Sequence, residues 1–246
     1  MKGMQLKGAL IYEFQDSMKA NGVFVAVLYL VGLINIILSA VLGNATGNFG
    51  GMEVSAWVYV LVVGIVSVRQ DLRLFLQNGR GRPTVFLLQI FVCFLCAVVL
   101  ALAVPVISAV LQLTSRLVAP HTQMQTAFEA IFLYEGRPIT GWESMAFSFL
   151  ACVPAYFFGM AISLIYYRLT KLAKVIFSIA APGLLFVGLP LALANNPALS
   201  SAIRAAVVGF LNGFESLLGL FAVLALIGTA FFGLLSWLLL RRAPVQ

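Results

Sequence analysis

Few side chains in this chain have the type and spacing for chemistry, and the densest group is Arg69 to Thr84, RQDLRLFLQNGRGRPT. Four of the fifteen Lys and Arg fall there, at Arg69, Arg73, Arg80 and Arg82, against a single acid, Asp71. Read as a helix, Val68, Leu72, Phe75 and Leu76 share one face, while Arg69, Asp71, Arg73 and Asn78 point elsewhere. Gly79 supplies a helix stop after Gln77 and Asn78, and Pro83 suits the first residue of the next helix. The chemistry on offer is recognition: a short amphipathic helix at a membrane surface, its apolar face turned to something other than lipid.

Reactive chemistry is scarce. Cys93 and Cys96 have the CxxC form, but with Cys152 they lie inside apolar runs, so all three read as packing residues rather than a redox or zinc site. His121 has no second His in metal-ligand spacing, and there is neither a G-x-S-x-G elbow nor a G-x-x-x-x-G-K-[ST] loop to cradle ATP phosphates. The apolar runs carry no titratable group away from their ends, Glu53 and Glu215 sitting at span edges. Asn35, Gln89 and Gln112 are the strongest polar groups inside, either bonding helix to helix or lining a translocation path. We therefore expect no catalytic residue, no metal and no cofactor bound by this chain itself.

The elements that position these residues follow from composition. In 246 residues, 62% are hydrophobic and 9% charged, outside the globular range and characteristic of an integral membrane protein. Leu6, Leu10, Phe14 and Met18 form an i+4 row, so residues 1–21 read as an amphipathic interfacial helix that ends at Asn21-Gly22. Six spans follow, at about 23–43, 52–68, 84–114, 144–167, 175–194 and 216–240, with bends expected at Pro105 and Pro154. Residues 69–83 form the basic loop, 116–143 a polar excursion with His121, Glu129, Glu135 and Glu143, and 195–215 a short re-entrant or interfacial helix. The termini and the loops after spans two and four hold twelve Lys and Arg, the opposite loops only Arg116, Arg137 and Arg204, which predicts both termini in the cytoplasm. The expected fold class is an all-α integral membrane protein with six transmembrane helices.

Asp71-Leu-Arg-Leu-Phe-Leu-Gln-Asn-Gly79 followed by Arg80-Gly-Arg-Pro-Thr-Val-Phe86 resembles the segment that opens the third span in the ABC-2 family of ATP-binding-cassette transporter permeases, the small bacterial ones in particular. Arg82 stands at the place of that pattern's Arg, and Gly81 replaces its usual Ser or Thr. The resemblance implies a multi-pass plasma-membrane permease, dimeric with a second permease chain, identical or not. A separate ATPase subunit would bind ATP and Mg. Residues 1–21 would be the connecting helix, 69–83 the coupling helix loop, and 195–215 the outer re-entrant pair. Leu72, Phe75 and Leu76 would then fill a groove on the ATPase, and Arg69, Arg73 and Arg80 pair with its acids. The expected cargo is a hydrophobic or amphipathic molecule: a lipid, peptide or drug. The alternative is the substrate-binding membrane component of a small-molecule uptake system, with its polar cavity around His121, Glu129 and Glu135.

Overall fold

Long uncharged runs leave the backbone no hydrogen-bonding partner but itself, and the chain answers with helices. The computed structural model describes residues 2–42, 49–77, 79, 81–118, 124–125, 141–183, 196, 201 and 217–241. Among them are six helices: α1 (Lys2–Leu42), α2 (Met52–Gln77), α3 (Arg82–Val118), α4 (Gly141–Arg168), α5 (Lys171–Gly183) and α6 (Leu217–Arg241). A two-residue parallel pairing joins β1 (Phe49–Gly50) to β2 (Met124–Gln125). Five helices, α1 to α4 and α6, are long and apolar enough to cross a membrane. The fifth expected span is described only as α5, and residues 184–194 and nearly all of 195–215 lie outside the described residues.

The exterior is apolar, with Val23, Leu30, Ile34, Phe94, Leu102, Phe231 and Leu234 all exposed. Such a surface suits acyl chains, which give helices no hydrophobic reason to associate, so close fit must hold the bundle together. That fit is tightest where α2 crosses α4. Gly64 lies against the backbone at Tyr156 and Met160, and Gly159 against the backbone at Leu61 and Ile65. Val60, Tyr156, Met160 and Leu164 fill in around the crossing, and α3 adds Leu88, Leu100 and Leu111 to the same core.

Two sequence expectations are corrected. Asn21-Gly22 does not end a helix: α1 runs unbroken for 41 residues, about 60 Å at 1.5 Å per residue. The Asn21 side chain is fully buried and bonded to other helices, which holds the backbone in line there. The row Leu10, Phe14 and Met18 is half-buried to exposed, while Glu13, Ser17 and Asn21 form the buried stripe. Between Lys7 and Asn21, α1 thus buries Glu13, Ser17 and Asn21 with Ala9 and leaves Phe14 and Met18 exposed beside Lys7, Asp16 and Lys19. Residues 69–77 are likewise not a separate surface helix but the last turns of α2.

The turn between α2 and α3 forms as expected. Gly79 takes φ 71°, the left-handed conformation open to glycine, and the Gly81 carbonyl accepts the first α3 bonds from Thr84 and Val85 at 3.0 and 3.3 Å. Pro83 sits in the first turn, where its missing N–H costs nothing.

Continuity of α1 gives a direct test. A Cβ at Gly22 would meet nothing within 4 Å. Gly22→Ala is expected to raise stability by roughly 0.5–1 kcal/mol, the helix-interior difference between the two residues. The check is the unfolding midpoint of the purified protein in detergent; a lowered midpoint would mean the chain needs a hinge at that glycine.

Candidate functional site

Ser67 and Asp71 are one helical turn apart on α2, so they share a face, and the bundle closes over it. Gln89, fully buried on α3, donates its amide N–H to Asp71 Oδ2. Its Oε1 accepts from Ser67 Oγ at 3.0 Å and from the hydroxyl of Tyr156, itself wholly buried on α4. Ser67 Oγ and Tyr156 Oη lie 3.0 Å apart. From α1, the buried carboxyl of Glu13 stands beside that of Asp71. Glu13 Oε1 is buried and has no hydrogen-bond partner among the described residues. Four helices meet in this polar node. Two turns further along α1, Asn21 Oδ1 accepts from Tyr59 Oη at 3.1 Å and Asn21 Nδ2 contacts Cys96 Sγ at 3.5 Å, while Phe24 stacks on Tyr59 at 4.0 Å.

The node corrects the reading of the basic stretch. Asp71 is 6% exposed and not part of a polar outer side, and Leu72 and Phe75, each 5% exposed, pack into the protein's own core instead of offering themselves to a partner's groove. Val68, Asp71, Leu72 and Phe75 make an i, i+3, i+4, i+7 arc, and the bundle covers all of it. Arg69, Arg73, Gln77 and Gly79 remain exposed. Arg82 is engaged elsewhere, since its guanidinium donates to the Arg241 carbonyl at 2.6 Å, and Arg168 donates to the Leu239 carbonyl at 2.9 Å. Two cations thereby satisfy terminal carbonyls of α6 and oppose the negative end of its dipole. The Leu76 side chain, Asn78 and Arg80 lie outside the described residues.

The three polar candidates of the spans do not meet. Gln89 is consumed by the node, and Asn35 Nδ2 donates to the Val31 carbonyl of its own helix at 2.8 Å. Gln112 is twenty-three residues beyond Gln89 on α3, about 35 Å along the axis, with its backbone carbonyl accepting from Ser115 at 2.9 Å. Glu53, read as an edge residue, is buried at the far end of α2, where Ser144 of α4 donates to it at 3.3 Å. Cys93, Cys96 and Cys152 are buried free thiols, and no group of three or more His, Cys, Asp and Glu that could hold a metal occurs among the described residues. His121, Glu129 and Glu135 lie outside those residues.

Beside the node, on the outer side of α2, a groove of about 820 Å³ opens between α2, α4 and the start of α5. Arg69, Gln70 and Arg73 line it from α2, Ser163, Tyr166 and Tyr167 from α4, and Lys174 from α5. Tyr166 is fixed by a 2.6 Å hydrogen bond to Ser178 and an edge contact with Phe177. Sequence periodicity missed the node because its members come from four helices, although an acid amid arginines and a Gln and a Tyr within apolar runs were signals of it. No protein-family model, no curated protein and no solved structure matches this chain.

Proposed function

We propose that the chain is the membrane-spanning permease subunit of an ATP-driven ABC exporter, working with a separate ATPase subunit and a second permease chain to move a hydrophobic or amphipathic cargo. The observation that carries this reading is α2. It is one unbroken helix from Met52 to Gln77, about 39 Å long, clamped to α1, α3 and α4 by the node and ending in the tight turn at Gly79. A push on that turn reaches four helices through bonded and close-packed contacts, with no soft joint in α2 to absorb it. The positive-inside rule puts the turn in the cytoplasm, where a soluble motor could grip it.

Because Leu72 and Phe75 are buried, acidic substitutions there would report on folding, and we take the exposed end of the turn, at Gln77 and Gly79, as the docking surface. Full-length chain purified from native membranes is expected to bring a P-loop ATPase with it, in an eluate that hydrolyses ATP. The double variant Gln77→Glu, Arg80→Glu is expected to insert and fold normally but to recover roughly tenfold less of that ATPase, the loss of a few complementary surface contacts. Absence of any P-loop ATPase from the wild-type eluate, or undiminished recovery with the tip variant, would overturn the assignment.

A further inference from the structure

The groove between α2, α4 and α5 has a polarity that the coupling role leaves unused. Ile65, Arg69 and Arg73 are spaced four residues apart on α2, so they form one stripe that runs from apolar to cationic over about 12 Å. On the opposite wall Ile162 is apolar too, and Lys174 adds a third cation to the lining. Among the described residues no carboxylate lines the groove, so three cations line it without a countercharge from that lining. An apolar floor toward the middle of the bundle and cations toward its arginine-rich end describe a ligand with an acyl chain and an anionic head.

We infer that this groove binds an anionic phospholipid of the adjoining leaflet, its phosphate held by Arg69, Arg73 and Lys174 and one acyl chain lying along Ile65, Val66 and Ile162. Guanidinium groups suit the phosphate because their paired N–H donors match two of its oxygens. The hydroxyl-bearing wall at Ser163 and Tyr167 supplies neutral donors for the glycerol portion of the head. A soluble phosphate would satisfy the cations and leave the apolar floor uncovered, which is why a lipid fits better. The inference does not depend on the transport reading, since it uses only this chain and the bilayer.

The test uses the full chain in an uncharged detergent, with native mass spectrometry as the readout and phosphatidylglycerol, phosphatidylcholine and inorganic phosphate as probes. We expect one phosphatidylglycerol per chain held at least about tenfold more tightly than phosphatidylcholine, with the preference shrinking as salt rises. The triple variant Arg69→Gln, Arg73→Gln, Lys174→Gln should weaken phosphatidylglycerol on the order of a hundredfold at low salt, and Arg69→Lys, Arg73→Lys, which keeps the charge and loses the paired donors, should weaken it by less. Equal retention of the two lipids, or unchanged phosphatidylglycerol binding by the triple variant, would overturn the site. Full displacement of the lipid by millimolar inorganic phosphate would assign the cations to a soluble anion instead. ATPase recovery with the tip variant is read separately, so either reading can fail alone.

Discussion

Gly64→Ala and Gly159→Ala are each expected to cost about 3 kcal/mol or more, at the top of the range for overpacked cores, and together to prevent accumulation of folded protein. The reason lies in what the new methyl would strike. At Gly64 it would overlap the Tyr156 carbonyl oxygen, and at Gly159 the Leu61 carbonyl oxygen, so both obstacles are helix backbone and neither can rotate away. Relief requires α2 and α4 to separate. Separation loosens the packing of Val60, Tyr156 and Met160 and pulls Tyr156 from its bond to Gln89. Gly32 makes a useful contrast, because there the nearest atoms are the side-chain ends of Leu111 and Met52, which can swing aside. Gly32→Ala should therefore be milder, and Gly22→Ala of the opposite sign. The measurement is the thermal unfolding midpoint in detergent for the four single variants; a Gly64→Ala protein as stable as the parent would mean α2 and α4 do not cross at these residues.

Apolar runs and glycine-proline punctuation made most of the helices legible. The turn at Gly79 and the start of α3 beside Pro83 follow from local rules, because φ above zero and a missing N–H are properties of single residues. Burial was less legible. Leu72 and Phe75 carry an amphipathic pattern that a partner protein, a lipid surface or the protein's own interior would each satisfy, and only tertiary packing chooses among them. The row Leu10, Phe14 and Met18 was only half the pattern: exposed Phe14 and Met18 fit an interfacial helix and a lipid-facing span alike, and only tertiary contacts pick out Glu13, Ser17 and Asn21 as the stripe that packs. The continuation of α1 past Asn21-Gly22 could not be read locally either, because what straightens it is a pair of contacts to Tyr59 and Cys96, far away in sequence.

Gln89→Leu is expected to destabilise the protein by about 3 kcal/mol, far more than one lost interhelical hydrogen bond would explain. In a bilayer such a bond averages about 0.6 kcal/mol, so a mere loss of contact predicts a small effect. Stranding its former partners costs more. Leucine fills a similar volume but removes the amide donor to Asp71 Oδ2 and the acceptor shared by Ser67 and Tyr156, leaving a buried carboxyl facing that of Glu13. Stranding a buried hydrogen-bonding group costs about 1–3 kcal/mol, and about 3–5 kcal/mol where it is charged, whereas replacing both members with apolar groups is often neutral. Asp71→Leu combined with Gln89→Leu should accordingly recover most of the stability lost by Gln89→Leu alone. Ser67 and Tyr156 can still bond each other across their 3.0 Å separation, which limits the residual loss. A double-mutant cycle on unfolding free energies in mixed detergent should give a coupling of about 2 kcal/mol between positions 71 and 89, with Tyr156→Phe as a milder comparison near ~1 kcal/mol. Strict additivity of the two leucine substitutions would show that Asp71 and Gln89 do not share a node, and with it would go the rigid joint between α2 and its neighbours on which the proposed coupling role rests.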